Sequence, residues 1–506
     1  MLASGPVVGP SRKLSRRFVA AAIALGLTAP VAARAQVAPE APEKISVGDW
    51  KLTPLAEVRV RGEVRHDPPD QGGLDLFGRF APRVRNSATF SERARLGLGA
   101  ERGGLRAQIT LQDARALGVG VPSAAISPDR GPSALGAYEA YLELRRSGAR
   151  PTWLRVGRQA VEWGEGRLLG KADFSPTGRS LDALRVHWTR GKVDVELLGA
   201  LLESGAPLGA AFSDSVGPSR SGVQLAGASG TLTLHPLFVI DLFALARISR
   251  SGGFGLDGSR FSIARLSGET YTGALRVSGD GSGWSYGVEG AYQLGNAAGL
   301  GIGGSDVSAY AGAARLSKRF DQVLMSPKLG VGAAYASGDD GSGTYKQFDP
   351  ILADPQRFHG QVDFLAWSNL AEVSARTEVV PWSDATFALE YRYAHLAQAQ
   401  GDWIGSYLNA VGRSSPTPAF VTGTTATPVT PATTGETELG HELDAVLSVR
   451  PWAPFELRAG YSIFLMGAGA KAVLAAHARG TRLQDNSISP SSFTHYGFLQ
   501  AAVALP

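Results

Sequence analysis

The residues with the clearest chemical potential are arginines that alternate with apolar residues. Between Leu55 and His66 the sequence LAEVRVRGEVRH places Arg59, Arg61 and Arg65 on the same parity, with valine or glycine between them. Successive side chains of a β-strand point to opposite faces, so this pattern is typical of a strand with one charged and one apolar face. A guanidinium is permanently charged, and its fork of donors matches a carboxylate. One face of this strand could therefore bind carboxylate anions.

The same alternation places further arginines on equivalent faces of later segments. The arginines on these inferred charged faces are Arg59, Arg61, Arg65, Arg93, Arg95, Arg106, Arg155 and Arg185. Acidic residues occur among them, namely Glu57, Glu63, Glu92, Glu139 and Glu143. Two interpretations stay open for each arginine: it forms an ion pair with a glutamate on a neighbouring strand, or it contacts a ligand.

Eighteen segments of the chain share the alternation and are predicted to be strands. They are 55–66, 91–101, 105–112, 137–145, 152–160, 180–190, 192–203, 223–234, 237–250, 268–279, 283–294, 305–320, 328–337, 367–380, 384–398, 438–450, 454–466 and 493–505. A tilted strand needs about 9–11 residues to cross a membrane, and most of these segments are at least that long.

Short and long connections alternate along the chain. The long ones are 66–88, 113–134, 161–179, 204–222, 251–267, 295–304, 338–366, 399–437 and 467–492. Outer-membrane barrels have this asymmetry, because tight turns lie on the periplasmic side and long loops on the cell exterior. We therefore predict an all-β fold: a single transmembrane antiparallel β-barrel of about 18 strands, with short periplasmic turns and long extracellular loops. The charged strand faces would then line a wet lumen, whereas an arginine facing lipid would cost about 2–4 kcal/mol at the midplane.

The first 35 residues predict export. Basic residues at 12–17 precede an apolar run at 18–31 that is too short to span a bilayer, and a small-x-small cleavage site follows at 33–35. We expect cleavage near Ala35/Gln36 and a location in the bacterial cell outer membrane. The expected domains are a signal peptide over 1–35, a periplasmic lead-in over 36–50 and the barrel over 51–506.

Composition and missing motifs narrow the function. The net charge of +5 resides in the signal region; residues 36–200 carry a net +5 and residues 201–506 a net −5, so the mature chain is about neutral. The chain has no cysteine and therefore no disulfide. It also has no G-x-S-x-G, H-E-x-x-H or Walker A motif. We expect no enzyme activity, no catalytic residue, no cofactor, no metal site and no nucleic-acid partner.

Three stretches carry motifs in a fixed order. Leu154–Val186 contains GRQ, WGEGRL and GRSLD; Phe348–Leu370 contains FDP, GQVD and WSNL; Glu438–Gly467 has the pattern of a long hairpin. This ordered set resembles the alginate-export family of outer-membrane β-barrels. The family's barrel has eighteen strands, which agrees with the count from alternation.

The resemblance implies passage of an anionic, alginate-like exopolysaccharide through an arginine-lined pore. The loop after residue 160 could fold inward as a constriction, so its charged residues join the predicted pathway. The predicted pathway residues are Arg59, Arg61, Arg65, Arg93, Arg95, Arg106, Arg155, Arg158, Arg167, Arg179, Asp182 and Arg185. The alternative function is a general or anion-preferring porin for small solutes. Expected partners are outer-membrane lipid, an anionic polysaccharide or small anions, the outer-membrane assembly machinery and periplasmic export components.

Other side chains have more ordinary expected roles. Trp153, Trp163, Trp188, Trp382 and Trp452 are expected in the belts at the membrane interfaces. Stacking on a sugar is the alternative for Trp163, which lies in the motif loop. His187 and His441 are expected in the wall or at an interface. The sequence SGDDGSG at 337–343 predicts a polar turn, with a calcium site as the alternative.

Overall fold

The structure is a computed structural model that describes most of the mature chain. The described residues are 44–66, 86–119, 133–146, 152–202, 223–249, 267–299, 302–354, 356–405, 410–412, 435–480 and 492–505. The predicted signal peptide and the first part of the lead-in lie outside them. Short strand β1 lies within the predicted lead-in and pairs with the start of β2, which itself begins at Trp50.

Within these ranges the chain forms strands and one helix. The elements are β1 (Ile45–Val47), β2 (Trp50–His66), β3 (Asn86–Arg102), β4 (Leu105–Val119), β5 (Ser133–Arg146), β6 (Thr152–Gln159), β7 (Leu181–Arg190), β8 (Val193–Leu201), β9 (Val223–His235), β10 (Phe238–Ser249), β11 (Ser267–Gly281), β12 (Trp284–Gly299), β13 (Ile302–Arg319), β14 (Lys328–Ala336), β15 (Leu370–Val379), β16 (Ala385–His395), β17 (Trp403–Ile404), β18 (Ala410–Gly412), β19 (Glu438–Trp452), β20 (Phe455–Met466), α1 (Ala468–Gly480) and β21 (Phe493–Leu505).

Eighteen of these strands close into one antiparallel sheet. Each strand from β2 to β15 pairs with the strand that follows it, β16 pairs with β19, and β19 to β21 continue the series. The last strand then pairs with the first, with Val58 opposite Val503. Closure leaves no strand edge without a partner, which is the condition for a sheet inside a membrane. The predicted eighteen-stranded barrel is confirmed.

The two faces of the wall reverse the usual rule of burial. On the outer face Val58 and Leu96 are 54% and 69% exposed, whereas on the inner face Arg61 and Arg93 are only 1% and 2% exposed. Such exposed apolar residues are costly in water but suited to lipid, and the inner charges are covered by other parts of the chain. The alternation in the sequence therefore separates a lipid-facing surface from a polar interior.

Aromatic residues mark the two membrane interfaces on the outer face. Trp188, Trp284, Trp382 and Trp452 lie near the short turns and are 42–61% exposed. Toward the opposite, long-loop end the outer face carries tyrosines: Tyr271, Tyr292, Tyr310, Tyr391 and Tyr461. Amphipathic rings of this kind concentrate where apolar lipid meets the headgroups. In the described part of the chain, no helix has both the length and the apolar character needed to cross a membrane.

Several elements exceed the predicted bounds. The pairing between strands β3 and β4 continues as far as Ala88 and Val119, so the wall extends into residues that were predicted to be loop. Helix α1 occupies a stretch that was also predicted as loop. Its sequence AGAKAVLAAHARG is rich in alanine, the strongest helix former, and this signal was available in the sequence.

Candidate substrate pathway inside the barrel

Two neighbouring strands, β2 and β3, concentrate positive charge on the inner face. The arginine patch consists of Arg59, Arg61, Arg65, Arg93 and Arg95, all on one parity of their strands. Register places Arg59 opposite Arg93 and Glu57 opposite Arg95. Glu57 accepts hydrogen bonds from Arg93 and Arg95. The inward positions of β2 from 57 to 65 and of β3 from 91 to 97 include only two acids, Glu57 and Glu63. These two strands therefore neutralise only part of the charge of the five arginines.

The segment between β6 and β7, residues 160–180, folds into the lumen and is termed loop A. Trp163 anchors it to the wall: its Nε1 donates to Glu196 Oε1 at 2.7 Å, and its ring stacks on Phe243 with centroids 6.2 Å apart. Leu169 is completely buried. Burial of these side chains means that loop A is held by packing as well as by charge.

Loop A reaches walls that face each other across the barrel. At one end, Asp173 Oδ1 lies 3.2 Å from Arg93 Nη1 and 3.3 Å from Arg95 Nη1 on β3. At the other end, Arg167 lies 3.7 Å from Glu289 on β12. Strands β3 and β12 are nine positions apart in the ring of eighteen, which is half its circumference. Glu165 adds ion pairs to arginines of β11 and β13 beside β12. The loop thus crosses the lumen.

The segment between β14 and β15, residues 337–369, forms a second inward layer and is termed loop B. It pairs with loop A through a bridge between Leu169 and Leu352, and Gly170 N donates to Leu352 O at 2.9 Å. Two consecutive amides, Gln361 N and Val362 N, donate to Glu442 Oε1 on β19 at 2.8 and 2.9 Å. These contacts fasten loop B to both loop A and the wall.

Burial and charge shift the pKa values of two loop carboxyls in opposite directions. Partial desolvation inside the lumen raises the pKa of Asp173, but the nearby Arg93, Arg95 and Arg59 outweigh this effect and hold the pKa at about 2. Burial raises the pKa of Asp354 in loop B to about 6, because the opposing effect of its arginine neighbours is weaker. Asp173 is therefore fully ionised at neutral pH, as a carboxylate bound by arginines should be.

Two of the predicted pathway arginines are paired within the wall. Arg155 Nε donates to Glu143 Oε2 at 2.8 Å, and Glu143 is completely buried. Arg185 donates to both carboxylate oxygens of Glu196, at 2.9 and 2.6 Å. For these two arginines the wall-pair interpretation describes the observed geometry. Arg106 is half-buried on the inner face and donates to Gln108 Oε1 at 3.3 Å.

The assignment of Arg158 and Asp182 to the pathway is wrong. The two residues are register partners and form an ion pair of 3.1 Å. Asp182 has the parity of Leu184, which is 50% exposed on the outer face, and the opposite parity to inward Arg185. The pair therefore lies on the outer side of the wall, close to the long-loop end. Asp182 and Arg185 are three residues apart, and residues an odd number apart on one strand point to opposite faces, so the sequence alone places Asp182 on the outer face when Arg185 points inward.

The remaining predicted arginines position the loops. Arg179 Nη1 donates to three backbone carbonyls, those of Gly170, Leu352 and Ala353, at 2.6–3.0 Å. Arg167 lies over the ring of Phe358 at 4.0 Å. Arg65 donates to Val362 O and Asp363 Oδ2 of loop B, at 2.8 and 3.1 Å.

Several inner charges were missed by the sequence reasoning. Arg276 on β11 and Arg315 on β13 both bind Glu165 of loop A. The side chain of Arg315 is 48% exposed, and that of Arg376 on β15 is 47% exposed. All three arginines follow the inward parity of predicted strands, so the alternation could have found them. Asp173 and Glu165 could not be found in this way, because loop residues carry no parity.

Two tryptophans that were predicted in the interface belts, Trp153 and Trp163, lie elsewhere. Trp153 points inward and stacks on His187 with centroids 5.0 Å apart. Trp163 is only 7% exposed, so its ring is not available to stack on a sugar. His441 lies on the outer face, and its Nδ1 is 2.8 Å from the Oη of Tyr391.

The calcium alternative for residues 337–343 has no support in the geometry. Asp340 Oδ1 accepts from Ser342 N at 3.1 Å, and its Oδ2 binds Lys346 Nζ at 2.6 Å. Asp339 Oδ1 accepts from Lys346 N. Over the described ranges, no group of three or more His, Asp or Glu side chains is arranged to hold a metal ion.

Solved structures with a similar fold share little sequence with this chain. They include Acinetobacter baumannii OccAB2 (TM-score 0.51, 11% identity, 89% of this chain and 97% of that chain covered). Another is Pseudomonas aeruginosa OccD3, with a TM-score of 0.49, 10% identity, and 90% of this chain and 92% of that chain covered. A third is Pseudomonas aeruginosa OccK11, with a TM-score of 0.47, 12% identity, and 90% of this chain and 96% of that chain covered. The likeness to OccAB2 agrees with the barrel fold and carries no information on substrate.

The sequence itself identifies the family. None of the curated proteins matches the chain. The family described as "Alginate export" matches residues 56–200 and 254–479, and all three motif stretches lie within these ranges. Because the matched residues make up more than half of the 506-residue chain, the protein belongs to the alginate export family of outer-membrane channels.

Proposed function

We propose that this channel passes an anionic, carboxylate-bearing exopolysaccharide of the alginate type across the outer membrane, along the inward arginines. The observation that carries the proposal is the carboxylate of Asp173, held by Arg93 and Arg95 at 3.2 and 3.3 Å. The arginine patch therefore has the geometry of a carboxylate site. A uronate unit of a polysaccharide presents the same group.

Exposed arginines elsewhere in the lumen supply further contacts of moderate strength. Arg315 and Arg376, with nearly half of each side chain exposed, face the interior on opposite sides of β14. In water a pair of unit charges 4 Å apart gains only about 1 kcal/mol. Several weak sites in succession attract a polyanion without trapping it, which is the condition for conduction. The wall pairs of Arg155 and Arg185 would stiffen the barrel beside this route.

Planar-bilayer recordings test the proposal against the small-solute porin. We expect an anion-preferring current that a uronate polysaccharide blocks and that a neutral dextran of equal length does not. A current indifferent to both polymers would refute the proposal and favour a porin for small solutes.

Arginine variants then test the route. Replacing Arg315 and Arg376 by Ala should lower the anion-to-cation permeability ratio at least about twofold, because each loses a charge exposed to the lumen. Arg115→Ala is the matched control, since the Arg115 side chain has a similar exposure, 55%, but has the outward parity of Leu117. Equal effects of lumen and outer-face variants would contradict the proposed route.

The partners follow from the same proposal. An exported barrel requires outer-membrane lipid and the outer-membrane assembly machinery, and a polymer-export channel requires periplasmic components that deliver the chain. We propose these partners on functional grounds. Co-purification from the native membrane tests them.

A further inference from the structure

A short finger projects from loop A and is closed at its base. In this finger, residues 171–179, Arg179 N donates to Lys171 O at 2.6 Å and closes the base. The backbone reverses at both ends: Ala172 and Gly178 have φ values of 50° and 65°. Alanine rarely adopts this left-handed conformation, which costs of the order of 1 kcal/mol or more. The contacts made by the tip must therefore hold the finger in place.

The tip of the finger covers the arginine patch with backbone carbonyls. Arg59 donates to Asp173 O and Ser175 O, both at 2.6 Å, and Arg61 donates to Phe174 O at 2.7 Å. Arg95 Nη2 donates to the carbonyl of Thr177 at 3.3 Å. The guanidinium forks that could take a ligand carboxylate are thus occupied by the chain itself.

The Asp173 carboxylate completes this occupation but remains open to water. Its side chain is 59% exposed, whereas Glu143, the partner of Arg155 in the wall, is completely buried. A buried pair such as that of Glu143 cannot exchange without leaving a desolvated charge. The Asp173 carboxylate already contacts water, so it stays hydrated when it leaves Arg93 and Arg95, and another carboxylate can take its place.

We infer that the finger is an internal ligand of the arginine patch, and that the carboxylates of an entering polyanion displace it. The inference rests on the proposed function. Exchange of one carboxylate for another leaves the arginines paired throughout. The cost of displacement is the loss of the finger's carbonyl bonds to Arg59 and Arg61 and of the contact between the Phe174 and Phe498 rings. A neutral polymer has no group to make this exchange and leaves the finger in place. The finger thereby closes the patch until a polyanion arrives.

The absence of cysteine permits a direct accessibility test. Ser175, at the tip, is only 5% exposed, so Ser175→Cys should react slowly with an uncharged maleimide. We expect an oligouronate to raise the labelling rate at least tenfold and a neutral oligosaccharide of equal length to leave it unchanged. Ser317→Cys, on the inner face of β13, reports general access to the lumen and should not accelerate.

A second variant separates displacement from simple electrostatics. Asp173→Asn in the Ser175→Cys background should raise labelling without any polymer, because the finger loses its charged contact. Asp182→Asn is the matched control, since it removes the same charge from the outer face. Labelling of the Asp173→Asn variant as slow as that of Ser175→Cys alone would overturn the inference.

The two failures are distinguishable. An oligouronate that does not block the current of the unsubstituted channel refutes the proposed function. Blockade of that current with no acceleration at Cys-substituted position 175 refutes the finger as an internal ligand and leaves the proposed function standing.

Discussion

Removal of the Trp163 side chain should release loop A from the wall without unfolding the barrel. The indole lies against Phe243 and donates to Glu196, and it fits beside β9 because Gly227 has no side chain there. A Cβ on Gly227 would lie 2.8 Å from the Trp163 ring. The wall strands keep their own hydrogen bonds to neighbouring strands whether or not the indole is present. The cost of Trp163→Ala should therefore fall on the attachment of the loop.

The size of the effect follows from burial. Large-to-small replacement of a buried aromatic residue costs about 3–5 kcal/mol. Water from the lumen can fill the space left, so the lower value applies here. Since 1.4 kcal/mol corresponds to a factor of ten, the detached population should rise about a hundredfold. Trp163→Phe keeps the ring stack and loses only the hydrogen bond, which is worth about 1 kcal/mol.

Hydrogen exchange of the detergent-solubilised protein measures this directly. The amides of Gly170 and Leu352, which bond across loops A and B, should exchange about a hundredfold faster in Trp163→Ala and less than tenfold faster in Trp163→Phe. Trp188→Ala, on the outer face, should leave them unchanged. Equal acceleration in strands β8 to β10 would show that the indole supports the wall, and the reasoning would fail.

Three further predictions concern loop B and the lumen charge. Gly360→Ala should detach loop B, because a Cβ at this residue (φ 94°) would lie 2.3 Å from the Glu442 carboxylate; protease cleavage within 356–363 should accelerate at least tenfold. Because the pKa of Asp354 is raised to about 6, the folded state holds this proton more tightly than the unfolded state. The attachment of loop B is therefore strongest below about pH 4 and loses up to about 3 kcal/mol as pH rises to 6 and above. Asp354→Asn should flatten the pH dependence of hydrogen exchange in loop B. Arg315→Ala should shift ion selectivity toward cations, whereas Arg61→Ala, whose side chain is 1% exposed, should shift it little and should instead lower the thermal unfolding temperature.

The wall could be predicted from the sequence because a membrane barrel imposes one rule on every strand. Alternation fixes the face of each side chain, and the alternation of short and long links fixes the topology. All eighteen predicted strands are present, and the inward parity of Arg59, Arg61 and Arg93 follows from the pattern alone. The prediction is wrong within the wall only where it departs from this rule: Arg158 and Asp182 have the parity of outward Val156 and Leu184.

The interior could not be predicted in the same way. Loops A and B have no periodicity, and their contacts join residues far apart in sequence, such as Arg65 with Asp363 and Glu165 with Arg315. Many acids and arginines of the chain could form such pairs, so charge alone does not select among them. The motif glycines mark loop A as special, but only the folded chain shows that it crosses the lumen.

The same arginines serve both the fold and the proposed transport, and this double use constrains the channel. Arg59 and Arg93 hold the finger tip, and their guanidinium groups would also bind the polymer. A change that strengthens the hold on the finger must therefore weaken the polymer's ability to replace it, and a change that frees the arginines must loosen loop A. A pair whose carboxylate contacts water satisfies both demands better than a fully buried pair, since the departing carboxylate is hydrated and an incoming one keeps the buried arginine paired. The placement of Asp173 in solvent and of Glu143 deep in the wall accords with this division between exchangeable and permanent pairs.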